Sequence, residues 1–248
     1  MTSISETGHA KNISNFDSLI SSVIAFGQTY NPSKESIKLS ALQNLQTVAK
    51  NSLNELYIAQ ANYSNAVAAR DKDFEPLSKL VTRIFNSLRA SDSSEQTDKT
   101  AQTIVRKLQG RRASAKISDE DKKLLEEQGI EVNQISASQM SFDSRVENFG
   151  RLISLLSTIR EYNPNEEELK IETLKELQTK LIQSNKDVVL ASISLSNNRM
   201  NRNTILYSKS TGLVDIAFDS KIYIKSVFGA TSPQFKQVSK LYFKTKAI

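Results

Sequence analysis

The feature that most constrains this chain is an internal repeat. Asn15, Phe16, Leu19, Ile20 and Ser21 return as Asn148, Phe149, Leu152, Ile153 and Ser154, five matches in a seven-residue stretch at an offset of 133. Tyr30, Asn31 and Pro32 return as Tyr162, Asn163 and Pro164, now at an offset of 132. The match continues through Leu42 with Leu174, through Leu45, Gln46 and Thr47 with Leu177, Gln178 and Thr179, and through Arg70 with Arg202. It ends on Lys107 and Leu108 with Lys240 and Leu241, the offset again 133. Apolar positions recur and the shifts in offset fall where loops are expected, which is the mark of a duplicated structural unit. Residues 12–109 and 145–241 therefore read as two copies of one unit.

Periodicity makes that unit helical. Phe16, Leu19, Ile20, Val23 and Phe26 lie at three-to-four spacing on a helix from Asn12 to Thr29, and its counterpart runs from Phe142 to Glu161. Next, Asn31 and Asn163 read as N-caps, each followed by proline at the first helical position, with Glu166 completing a capping box. The helix that follows, Pro32 to Arg70 or Pro164 to Arg202, carries Leu39, Leu42, Leu45, Val48 and Leu53; a break near Asn62–Asn65 is left open. A third helix begins near Pro76 or Gly212, and a fourth runs from Thr97 to Gln109 or from Pro233 to Leu241. Only 7 Gly and 4 Pro in 248 residues suit long helices with few turns, and argue against a turn-rich β fold. The expected fold is all-α: two tandem copies of a three-to-four-helix antiparallel bundle, with residues 1–109 and 142–248 as units. Residues 110–141 form a linker with a short helix at Asp119–Gln128, capped by Ser118 and ended by Gly129.

Charge is spread unevenly. Residues 186–248 hold ten Lys and Arg against three acids, so the net +6 of the whole chain gathers in the C-terminal third. There Phe235, Tyr242 and Phe243 interleave with Lys236, Lys240, Lys244 and Lys246, a pattern that suits nucleic acid or an anionic membrane. Arg199, Arg202, Lys236, Lys240, Lys244 and Lys246 are the candidate anion- or partner-binding residues. A solvated basic surface is the competing reading, and Val238 and Leu241, which repeat Val105 and Leu108, read as core.

Catalytic signatures are missing. Without Cys there is no thiol nucleophile and no Cys-ligated zinc, and the single histidine, His9, reads as an exposed residue of a polar tail. Asp71, Asp73 and Glu75 lack the glycine and distal glutamate of an EF-hand loop. The triplets Asp119–Asp121 and Glu166–Glu168 sit at helix starts, where the dipole accounts for them. Arg70 and Arg202 read as structural, each near the end of a long helix. No metal or cofactor is expected. No apolar run is long enough to cross a bilayer and no signal peptide is legible, so a cytoplasmic location is expected.

With the repeated Tyr-Asn-Pro turn and the ending Val227-Phe228-Gly229-Ala230-Thr231-Ser232-Pro233 in view, the chain resembles a group of uncharacterised bacterial helical proteins with this two-copy layout. The resemblance implies the fold and carries no activity. The leading expectation is a non-enzymatic helical scaffold or protein-binding module. Binding of nucleic acid or an anionic membrane through the basic C-terminal third is the alternative, and an enzyme with its site between the copies is a third.

Overall fold

A computed structural model describes residues 7–111 and 140–245, and among these it is all-helical, with no strand. In chain order the helices are α1 (Thr7–Phe26), α2 (Leu39–Phe74), α3 (Leu77–Arg89), α4 (Glu95–Leu108), α5 (Phe142–Leu156), α6 (Ile171–Tyr207), α7 (Leu213–Phe228) and α8 (Pro233–Ser239). The linker helix expected at Asp119–Gln128 lies outside the described residues.

The chain divides into two compact units, residues 1–63 with 191–248 (unit 1) and residues 64–190 (unit 2). This grouping differs from the 1–109 and 142–248 ranges of the sequence copies. The core of unit 1 joins Phe16, Leu19 and Leu42 to Leu206, Leu213, Ile216, Ile224 and Val238. That of unit 2 joins Phe74, Val81, Ile84, Leu88 and Val105 to Phe149, Leu152, Leu174 and Leu181. Each core thus joins the opening helix of one of these sequence ranges to the closing helices of the other. The physical reason is the uninterrupted course of the long helices: α2 passes through Asn62–Asn65 without a break, and α6 likewise through Asn197–Asn198. At about 1.5 Å per residue α2 is roughly 54 Å long.

Those helices start later than Asn31 and Asn163 suggest, so the capping assignment is corrected. Tyr30 and Tyr162 are buried, and their hydroxyls donate to the carbonyls of Ile37 (2.7 Å) and Leu169 (2.8 Å), each seven residues on. The intervening chain folds back over a short 3-10 turn, Glu35–Ile37 or Glu167–Leu169. Lys38 and Lys170 then take extended backbone, and the α-helical bonds begin at Leu42 N–H to Lys38 and Leu174 N–H to Lys170. Burying both Tyr30 and Ile37 at one point requires this reversal, and Asn31 and Asn163 stay exposed.

Within α2 the core stripe runs through Leu42, Gln46, Ala49, Ser52 and Leu56, while Val48, expected in the core, is exposed. Gln46 earns its buried place by donating to Asp17 Oδ1 (3.0 Å) and, more weakly, to the carbonyl of Ile13. The helix expected to reach Glu161 ends at Leu156, with Ile159 in the turn beyond.

Candidate functional site

The polar tail expected around His9 is the first two turns of α1. His9 is only 8% exposed, its Nδ1 lies 2.7 Å from the Tyr207 hydroxyl, and the two rings meet edge to face. One turn on, the buried Asn12 side chain grips the backbone of Lys244: Oδ1 accepts its N–H and Nδ2 donates to its carbonyl, both at 2.9 Å. Asn15 donates to the carbonyl of Tyr242 at 2.5 Å. Residues 241–245 are therefore strapped to α1. Phe243, left unassigned by the repeat, is buried against Phe218.

This arrangement sorts the six candidate cations. Arg202 is 2% exposed and donates to Asn203 Oδ1, so its guanidinium lies in the interior of unit 1. Its counterpart Arg70 stacks on Phe142 with its guanidinium carbon 3.8 Å from the ring centroid. Arg199 is exposed on α6. Lys236, Lys240 and Lys244 are exposed on α8 and the segment after it, and Lys246 lies outside the described residues. The repeat could not mark Lys221 and Lys225, which join this group. Lys221 reaches from α7 to donate to the Leu241 carbonyl at 2.5 Å, and burial pushes its ammonium below its ordinary pKa. Lys225 lies 5.7 Å from the Phe235 ring. Unit 1 carries 13 Lys and Arg against 6 Asp and Glu, while unit 2 carries 20 against 21, so the basic excess belongs to one unit.

Unit 2 presents a different surface. Ser141 caps α5 by accepting from Ser144 N–H, and Phe142 packs edge to face on Phe74. Arg145 donates to the Phe74 carbonyl at 3.0 Å, and burial lowers its pKa. Asp143 accepts from Asn185 at 2.9 Å, tying the start of α5 to α6. Between these helices lies a groove of about 410 Å³ whose apolar lining is Val146, Ile182 and Val189, with Glu147 and Lys186 at its margin. Ile182 is 49% exposed and Val189 56%.

Nothing in the hydrophobic pattern singled these residues out. Their meaning comes from the other copy, where the positions of Gly150 and Ile182 are held by Asp17 and Lys50, an ion pair at 3.0 Å. Residues 145–241 have neither charge at the matching positions. Gly150 also makes room, because a Cβ there would sit 2.3 Å from Gln178 Nε2. Elsewhere in unit 2 Asp73 pairs with Lys180 (2.6 Å) and accepts from Ser184, and these bonds hold its carboxyl below the ordinary carboxylate range.

Among the described residues no cluster of three or more His, Asp or Glu is placed to hold a metal, and no helix is long and apolar enough to cross a membrane. No family profile, curated protein or solved structure matches the chain.

Proposed function

We propose that the chain is a non-enzymatic helical scaffold that docks a protein partner along the α5–α6 groove of unit 2. The observation that carries this reading is the exposure of Ile182 and Val189 in a groove where the position matching Ile182 holds Lys50, a charged side chain paired with Asp17. A water-facing ion pair costs little to keep or lose, being worth about 0–1 kcal/mol. Replacing it by an exposed isoleucine gains nothing for the unit alone, whereas covering that side chain with a partner removes apolar surface from water.

The reading rests on a duplicated fold, in which two tandem copies arose from one helical unit and one of them diverged. Support comes from the paired tyrosine locks, Tyr30 to Ile37 and Tyr162 to Leu169. The ion pairs Lys38–Glu35 and Lys170–Glu167 recur at the same offset.

A photo-crosslinking residue placed at Ile182 in the native cell is expected to capture one protein reproducibly. Capture should vanish in the Gly150→Asp, Ile182→Lys double variant with the crosslinker moved to Val189. An adduct pattern identical to that from a crosslinker at the exposed Lys79 of α3 would refute the proposal.

A further inference from the structure

Unit 1 carries a surface of its own, built by the outer stripe of α7. Phe218, Lys221, Ile222 and Lys225 stand at positions i, i+3, i+4 and i+7 of this helix, on one face. Ile222 is 66% exposed and Phe218 40%. Residues 241–243 run alongside, fixed by the bond from Lys221 to the Leu241 carbonyl and by the contact of Phe218 with Phe243. Next to them Tyr242 projects into solvent, 70% exposed, the most exposed large apolar side chain among the described residues.

The charge around these side chains is of one sign. Lys225, Lys236, Lys240 and Lys244 are exposed, and none is in an ion pair among the described residues. The two acids of α7 are engaged elsewhere: Asp219 pairs with Lys34 at 2.5 Å, and Asp215 accepts from the backbone of Ser210 at 2.8 Å. The patch thus combines bare apolar side chains with uncompensated lysines.

We infer that this α7–α8 face of unit 1 binds the surface of an anionic lipid bilayer. Ile222 and Tyr242 enter the boundary between headgroups and acyl chains, and the surrounding lysines reach the lipid phosphates and carboxylates on their flexible stems. Nucleic acid fits less well. A polyphosphate strand is held by cations with several aromatic faces for successive bases, yet of the three interleaved aromatics only Tyr242 is exposed, Phe243 is buried and Phe235 half-buried, and Arg202 is interior. An exposed isoleucine among lysines has no role on a phosphate backbone. It has one at a lipid interface.

The test uses the full chain and two kinds of vesicle, phosphatidylcholine alone and phosphatidylcholine mixed with phosphatidylserine. Co-sedimentation is expected with the mixed vesicles only, weakening as salt is raised. Lys225→Gln and Lys240→Gln should each weaken it roughly fivefold, and Ile222→Gln roughly tenfold. All three side chains are exposed, so unchanged circular dichroism and melting establish that the fold is intact. The chain has no Trp, so Tyr242→Trp installs a single reporter whose emission should shift to the blue on the mixed vesicles and stay fixed on the neutral ones. Equal binding to both vesicles, no binding to either, or full binding by Ile222→Gln would overturn the inference. So would duplex DNA that displaces the vesicles and binds Ile222→Gln as tightly as the unaltered chain. None of these outcomes bears on capture at Ile182, so the two proposals fail separately.

Discussion

Replacing Tyr162 by Phe removes one oxygen and leaves the ring. The Tyr162 hydroxyl donates to the Leu169 carbonyl at 2.8 Å, and both residues are buried, at 6% and 4% exposure. The phenyl ring refills the same volume, so no cavity term enters. What is lost is the bond, together with the cost of leaving a buried carbonyl short of its donor, about 1–3 kcal/mol. The phenol also has a pH signature. Burial, reinforced by the nearby Glu166 carboxylate, pushes it from its ordinary value of 10.0 up to about 12. The unfolded chain releases this proton first, so between those values the folded state binds more protons and stability falls as pH rises. Below the unfolded value the contribution is complete. Urea unfolding of Tyr162→Phe, followed by circular dichroism at neutral pH, is expected to show the loss with the slope unchanged. On raising pH into the alkaline window the unaltered protein should lose stability faster than the variant, narrowing the gap between them. A variant with the same midpoint as the parent, or one that follows the parent's alkaline decline in parallel, would refute the argument. Tyr30→Phe provides the companion case in unit 1, where burial also raises the phenol and the bond to Ile37 is 2.7 Å.

Three other outcomes follow, two from named contacts and one from backbone geometry. Asn12→Ala removes both bonds to the Lys244 backbone and should free residues 241–245, at a cost of about 1–3 kcal/mol; the Lys244 amide should then exchange with solvent markedly faster, and unchanged protection would contradict the strap. Asp73→Asn should make unit 2 less sensitive to acid: the folded carboxyl titrates below its ordinary 3.8, so its stabilisation is present above that value and is lost as pH falls through the lower one. Acid titrations of parent and variant by circular dichroism check this, and parallel curves would count against it. Gly229 ends α7 at φ 88°, ψ 154°, with no atom within 4 Å of an added Cβ, so Gly229→Ala isolates backbone strain. A loss of about 1–3 kcal/mol in thermal unfolding is expected.

The helical class was legible because spacing carries it: Phe16, Leu19, Ile20 and Val23 repeat at the helical period, and all are buried. The start of the long helices was not. Asn-Pro is a sound local signal for a helix N-terminus, but a local signal has no knowledge of the Tyr30 hydroxyl, which holds the Ile37 carbonyl and keeps the chain folded back until Lys38. His9 was misread for the same reason. Its polarity places it outside until its partner Tyr207 is known. In α2 the apolar count favoured Val48 over Gln46, and the bond from Gln46 to Asp17 reverses the choice.

The repeat was the most legible feature, yet its use depends on which residues touch. Aligned as strings, Asp17 against Gly150 and Lys50 against Ile182 are two unremarkable mismatches thirty-three or thirty-two residues apart in each copy. Once Asp17 and Lys50 are known to pair at 3.0 Å, the two mismatches become one difference, an ion pair present in one stretch and absent from the matching one. The matching positions of residues 145–241 carry neither charge, and Ile182 stands half-exposed beside Val146 and Val189. The basic excess behaves in the same way. As a string it marks the C-terminal third, but packing joins that third to residues 1–63, where Lys34 takes up Asp219 and Asn12 and Asn15 strap down residues 241–245. The lysines that remain exposed around Ile222 and Tyr242 are those that the fold does not use for itself.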